Sequence, residues 1–260
     1  MNELYIELNN DKLMREFFYY MDHHGQCNLY NSHNQIIKFF QQDIFFEKEK
    51  ELWQDPIIRE KLILNRIKYL HKLNISNEEL LAGFKKSGIY YGYSHFNPLL
   101  AKWFYEQYNI HSCYDPCGGW GHRMLGSFDL DEYIYNDISQ KVIDGIKNII
   151  DFFDIQNVRI YNEDASVFIP SDGFESIFTC PPYGNLETYE VQTSNEKLQI
   201  LLQNIYNIFN QKETCKYMGI VIREDLNSLS NWNEKIELIS NHIHFIKKKK
   251  YKEYLYIYKK

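Results

Sequence analysis

Tyr114-Asp115-Pro116-Cys117-Gly118-Gly119-Trp120-Gly121-His122-Arg123 sets the reading of the whole chain. It has the layout of a strand, a glycine turn and the start of a helix, in which glycines let the backbone approach a ligand and a helix amino end faces it. Working outward, the run Phe174-Glu175-Ser176-Ile177-Phe178-Thr179 is rich in β-branched and aromatic residues and stops at Cys180-Pro181-Pro182-Tyr183-Gly184. Proline cannot donate to a sheet ladder, so this run reads as a buried strand whose carboxyl end lies at the two prolines. In open α/β sheets that edge is where ligands bind. Taken alone, Pro181-Pro182 is also what an ordinary turn after a strand looks like.

Together the two stretches resemble the S-adenosylmethionine-dependent amino-methyltransferases of the DNA N4-cytosine and N6-adenine type. In that family an Asp-Pro-Phe-x-Gly-x-Gly loop binds the methyl donor. A tetrapeptide of Asp, Asn or Ser, then Pro-Pro, then an aromatic residue holds the target amine. The resemblance places the donor on Asp115, Pro116, Gly118, Gly119 and Gly121 and the amine on Cys180, Pro181, Pro182 and Tyr183. Cys117 and Cys180 depart from the pattern, and Cys180 stands where the family contacts the amine.

Composition bounds what the chain can be. With 260 residues it is long enough for one α/β domain, alone or with an appendage, and a hydrophobic fraction of 44% with 22 Tyr and 17 Phe gives it material for a core. Apolar runs fall short of the roughly 18 to 20 residues of a membrane span, and the first residues lack the pattern of a signal peptide, so the expectation is a cytoplasmic protein with no membrane partner. Cys27, Cys113, Cys117, Cys180 and Cys215 form no paired framework, which suits a reducing compartment. Cys113 and Cys117 lie near His111 and His122, but no second ligand pair follows at a recognisable spacing. A strand residue and a loop residue are the simpler account, and no metal is expected. The net charge of −6 argues against tight non-specific binding to nucleic acid. The dense basic run is Lys247-Lys248-Lys249-Lys250 with Lys252, Lys259 and Lys260, which fits either a local nucleic-acid contact or a charged edge strand that resists aggregation.

Residues 1–87 read as a helical region without evident chemistry, and 88–260 as the methyltransferase domain. Leu13, Phe17, Phe18 and Met21 recur at helical spacing; so do Ile57, Ile58, Leu62, Leu64, Ile67 and Leu70 after a start at Asp55-Pro56. Ser76 or Asn77 caps a further helix that stops near Gly88. His23-His24 are adjacent and do not converge on a helix, so they read as solvent-facing. The stretch from Gly88 to Pro98 is an aromatic loop before a helix from Leu99 to Tyr108. The resemblance sets Phe96, Asn97 and Pro98 beside the methionine end of the donor; core or lid packing is the other reading of the stretch.

After the glycine loop the pattern becomes strand, helix, strand, helix. Glu132–Asp137 is a strand ending in an acid about twenty residues after Asp115, the distance at which an acid at the end of the second strand accepts hydrogen bonds from a ribose diol. Val142–Phe153 is a helix, and Val158 to Ala165 a third strand whose Asp164 and Ala165 the resemblance sets at the adenine. Either acid also suits a cap or a turn. Next come a polar loop at 184–195 and a helix Glu196–Phe209. A strand Lys216–Arg223 follows, then a helix near Trp232 to Ser240, then strands His242–Ile246 and Tyr254–Tyr258. The expected fold is α/β, a doubly wound seven-stranded Rossmann-like methyltransferase sheet with an antiparallel last pair.

The resemblance implies S-adenosylmethionine as cofactor and a nucleic acid, DNA before RNA, as partner. Cys180 and the Pro181 carbonyl would bind the amine hydrogens and Tyr183 would stack on the base; Cys180, closest in size to Ser, leans the target toward cytosine. Three alternatives stay open at this point: a catalytically degenerate binding subunit, methylation of RNA, and methylation of a protein amide. The covalent cytosine-C5 enzymes fit poorly, because their cysteine follows its proline whereas Cys180 precedes Pro181.

Overall fold

Asp55 opens a helix of fifteen residues in the first part of the chain, because its carboxylate accepts the free Ile57 and Ile58 N–H groups at 2.8 and 3.3 Å and Pro56 has no N–H to satisfy. The computed structural model describes residues 36–37, 40–41, 47–89, 96–182, 194–238, 245–246, 249–250 and 252–260. It divides into two compact units, Met1–His95 and Phe96–Lys260. The first contains α1 (Glu47–Gln54), α2 (Pro56–Leu70) and α3 (Asn77–Lys86). Ser76, not Asn77, caps α3: its hydroxyl accepts Glu79 N–H while the Glu79 carboxylate accepts Ser76 N–H, a reciprocal box. Gly88 lies just past the helix with φ +69°.

The second unit is built on seven strands, β1 (Ser112–Asp115), β2 (Glu132–Asn136), β3 (Val158–Tyr161), β4 (Ser176–Thr179), β5 (Tyr217–Arg223), β6 (Glu234–Leu238) and β9 (Glu253–Lys259). Their spatial order is β3-β2-β1-β4-β5-β9-β6. β1 to β5 are parallel, and β9 runs antiparallel to both β5 and β6. β7 (Phe245–Ile246) and β8 (Lys249–Lys250) form a separate ribbon. This is the doubly wound seven-stranded Rossmann-like sheet of the methyltransferase type. Chain order turns back between β1 and β4, which makes the gap between their carboxyl ends the topological switch point.

Three helices cover the sheet: α4 (Pro98–Gln107), α5 (Gln140–Phe153) and α6 (Asn195–Gln211). Asn97 caps α4 by accepting Leu99 N–H at 3.0 Å, and Ser194 caps α6 by accepting Lys197 N–H at 3.2 Å. α6 buries Leu198, Leu201, Leu202, Ile205, Ile208 and Phe209 against Ile177, Met218, Ile220 and the Tyr256 and Tyr258 rings. Each fully buried aliphatic side chain there contributes about 1.5–3 kcal/mol, so α6 is a main source of cohesion. On the other face Phe104 of α4 stacks on Phe178 of β4 with ring centroids 4.5 Å apart. β4 is buried at all four residues, as its apolar run implied.

Three expectations are corrected. The helix read near Trp232 to Ser240 is strand β6: Ile236 and Leu238 alternate with charged residues, and pairing to β9 overrides the helix preference of Glu and Lys. Of the strand read at His242–Ile246, the described residues Phe245–Ile246 lie in the ribbon, and β6 takes its place in the sheet. No long helix follows the glycine loop; Met124–Gly126 makes one 3₁₀ turn, because the chain passes directly to β2. The amino-terminal helix through Leu13 and Met21, His23-His24, Cys27, residues 90–95, Tyr183 with the loop to 193, and Lys247-Lys248 lie outside the described residues.

Candidate active site

Asp115 and Thr179 end β1 and β4, and across the switch point the Thr179 hydroxyl donates to Asp115 Oδ1 at 2.9 Å. Asp115 is fully buried, so its carboxylate must be met by hydrogen bonds. Arg123 donates through Nε to Oδ2 at 2.7 Å and through Nη2 to Oδ1 at 3.3 Å, Tyr133 OH donates to Oδ2 at 2.6 Å, and Cys117 N–H reaches Oδ1 at 3.3 Å. These bonds engage both oxygens within the chain. Burial works against the Arg123 charge, but the attraction of the Asp115 carboxylate, its hydrogen bond and the other groups around the guanidinium together outweigh it and keep Arg123 firmly charged. Burial also pushes the Cys117 thiol well above its ordinary range, with the charges of Asp115 and Asp137 adding to it.

The glycine loop is held from β2. Tyr135 OH donates to Gly119 O, and Gly118 N–H donates to Asn136 O at 2.7 Å. A Cβ at Gly118 would lie 2.1 Å from the Tyr135 ring, so no larger residue fits. Gly119 differs: its φ is +57°, and a Cβ there would meet only Cys117 O at 3.8 Å, so its side of the loop is open. Gly121 also has a positive φ, +87°. Asn136 is fully buried and joins two loops, donating to Pro116 O and Glu163 O and accepting Glu163 N–H, each at 3.0 Å.

Asp137 follows β2 and is half-buried; Oδ2 accepts Gly119 N–H and Oδ1 accepts Ser139 N–H, both at 2.9 Å. Burial raises its carboxyl above the ordinary range, and these two bonds pull it back in part. A carboxylate oxygen has room for two hydrogen bonds, so each still has acceptor capacity. Asp164 lies beyond β3 rather than in it, exposed, with Oδ1 accepting Ser166 N–H at 2.9 Å. Ala165 is buried, and its carbonyl accepts from Asn204 Nδ2 at 2.8 Å. Phe96 lies 5.0 Å from the Arg123 guanidinium and meets Phe178 edge-on at 6.0 Å. Pro98 is the first residue of α4 and is buried. Past Thr179, Cys180 and Pro182 are half-buried and Pro181 is buried.

The structure thus brings Phe96, Asp115, Gly118, Gly119, Asp137 and the start of the Cys180 tetrapeptide to one edge of the sheet, with Asp164 on the neighbouring loop. Cys113 is a buried residue of β1 and Cys117 a loop residue. Among the described lysines of the basic run, Lys252 pairs with Glu237 at 3.0 Å, Lys259 pairs with Glu234, and Lys260 donates to Lys212 O at 2.9 Å. Arg123, Tyr133, Tyr135, Asn136 and Thr179 were given no role by the sequence. A signal was there for three of them: Tyr133 and Tyr135 share one face by strand alternation, and Asn136 is a polar residue that directly follows the apolar run Tyr133-Ile134-Tyr135.

No protein-family model and no curated protein matches the chain. Among solved structures, it is similar to TrmN from Thermus thermophilus at 14% identity and a TM-score of 0.48, over 62% of this chain and 48% of that one. The rRNA methyltransferase aviRa from Streptomyces viridochromogenes gives 11% identity and 0.42, over 64% and 86%. Human methyltransferase 10 domain containing protein gives 7% and 0.46, over 62% and 80%. Likeness at this level says nothing about the substrate, and the reading of the site rests on its own residues. Among the described residues no helix is long and apolar enough to cross a membrane.

Proposed function

We propose that this chain is an S-adenosylmethionine-dependent amino-methyltransferase acting on an exocyclic amine of a nucleic-acid base, with DNA cytosine N4 or adenine N6 as target. The observation that supports this reading is the Thr179–Asp115 hydrogen bond across the switch point, which sets the end of the acceptor strand beside the start of the donor loop. The fit of the donor rests on two features: the open side of the loop at Gly119, and the spare acceptor capacity of Asp137 next to it. In this reading Gly119 and Gly121 admit the donor to the backbone and Asp137 takes its ribose hydroxyls. Asp164 with Ala165 lies at its adenine, and Phe96 with Pro98 at its methionine end. Asp115, Pro116 and Gly118 act through the shape of the loop.

Bound S-adenosylmethionine supplies a methyl group on a positively charged sulfur. The chain's own part is to hold a poor nucleophile, since the lone pair of a base amine is delocalised into its ring. Cys180 and the Pro181 carbonyl accept the two amine hydrogens, which favours a pyramidal nitrogen with its lone pair directed at the methyl group; in-line holding of this kind supplies several kcal/mol. A thiol is a weaker acceptor than Ser, Asn or Asp, so the Pro181 carbonyl carries most of the contact. Tyr183 stacks on the extruded base, worth about 1–3 kcal/mol. We assign the methyltransferase domain to 88–260 and leave target recognition to the helical region 1–87 or the loop after Tyr183.

The test is incubation of the full chain with methyl-labelled donor and separate pools of DNA, RNA and protein, alongside calorimetry with S-adenosylhomocysteine. Label in DNA as N4-methylcytosine or N6-methyladenine is the expected result. Label in RNA or protein would move the substrate, and binding without transfer to any pool would make the protein a degenerate binder.

A further inference from the structure

Arg123 is the side chain on which the separate pieces of the candidate site meet. It is 5% exposed; its Nε and Nη2 grip Asp115 at 2.7 and 3.3 Å, and Nη2 also bonds the Cys117 carbonyl in the glycine loop. Its guanidinium carbon lies 5.0 Å from the centre of the Phe96 ring, which meets Phe178 of β4. Through Asp115 it reaches Thr179, the residue before Cys180, and Tyr133 of β2. Four segments distant in the sequence are therefore tied to one planar cation: the entry to α4, the glycine loop, β2 and the end of β4. Stability alone does not call for this arrangement, since a buried ion pair replaced by apolar groups of like volume often leaves a fold as stable or more so. What a planar fork adds is a fixed geometry between its partners.

We propose that Arg123 is a positioning residue for methyl transfer, holding the glycine loop and the acceptor end of β4 at one spacing. This rests on the transferase reading above. Arg123 does not touch the reacting atoms; it sets the distance between the groups that do. Small displacements matter in such a step, because a misplacement of about 1 Å can cost on the order of 100-fold in rate.

Arg123→Lys separates this role from a purely structural one. Lysine keeps a positive charge against Asp115 but loses the planar fork that reaches both Asp115 oxygens and the Cys117 carbonyl, and the flat face toward Phe96. In the full chain, the expected result is a kcat lower by about 10- to 100-fold, with the Kd for S-adenosylhomocysteine within about threefold of the parent. Thr179→Val cuts the link from Asp115 to the end of β4 while leaving the Arg123–Asp115 pair in place, and should show the same split should Arg123→Lys fold poorly. Unchanged kcat overturns the proposal, as does a fall in kcat, donor affinity and Tm together, which would mark a structural residue. A parent that binds S-adenosylhomocysteine yet methylates no pool overturns the transferase reading and the proposal with it. An active parent with an unaffected Arg123→Lys variant overturns the proposal alone.

Discussion

Replacing Asn136 with alanine removes a fully buried amide that makes three hydrogen bonds of 3.0 Å, to Pro116 O, Glu163 O and Glu163 N–H. The consequences differ by site. Pro116 O is left buried without this donor, at about 1–3 kcal/mol, whereas the Glu163 groups are at an exposed residue where water can replace the amide, at about 0.5–1 kcal/mol each. The expected loss is therefore about 3 kcal/mol. With a urea slope of about 1–3 kcal/mol per molar, the unfolding midpoint should fall by roughly 1–3 M. The same change releases the Pro116 end of the glycine loop from the loop bearing Asp164, so affinity for S-adenosylhomocysteine should fall as well. Asn136→Asp should be worse, since a carboxylate would face two carbonyl oxygens. A midpoint unchanged in Asn136→Ala, or a lower midpoint with full donor affinity, would refute the idea that this amide holds the two loops in register.

Three further outcomes follow from the same geometry. Asp137→Ala should weaken S-adenosylhomocysteine binding at least several-fold by calorimetry, in line with losing a pair of charge-assisted bonds, and equal affinity would remove Asp137 from the donor site. If the protein is an active transferase, Cys180→Ser should keep or raise kcat and Cys180→Ala should stay within about tenfold, roughly 1.4 kcal/mol; an inactive Cys180→Ala would make the thiol a reacting group instead. Burial pushes the Cys215 thiol from 9.0 up to about 12, so the folded state holds its proton where the unfolded chain releases it. The stability this provides is full below pH 9 and is lost as pH rises toward 12. At pH 10 about 1.4 kcal/mol should be gone, and Cys215→Ala should have a shallower decline in Tm between pH 8 and 10.

Local signals carried most of the fold. Two prolines ended β4 where an apolar run stopped, and Asp55, Ser76 and Gly88 marked helix ends through their own hydrogen bonds or backbone angles. β6 was misread because Trp232 and Ile236 also suit a helical repeat; only β9, far along the chain, makes the strand preferable. The missing helix after the glycine loop was equally non-local, since nothing in residues 121–126 announces that β2 begins so soon. At the candidate site, the positions of the glycines, of Asp137 just after β2 and of the two prolines just after β4 could be read from residue type and spacing. Arg123 and Thr179 could not, because their roles consist in reaching one carboxylate from different segments.

The position of β9 also bears on how the protein is made. It is the last of the seven strands to leave a ribosome, yet it lies between β5 and β6 and pairs with both. Until it emerges, β5 and β6 have no partner on the sides that will face each other, and such unpaired edges are sticky during synthesis. β1 to β4, which carry the candidate site, need nothing from that late strand for their own pairing. Nascent chains should thus pass through a stage in which the half of the sheet that carries the candidate site is in register while the other half still awaits its centre. Premature termination before Glu253 would leave that stage permanent, with two open edges exposed to chaperones or to aggregation.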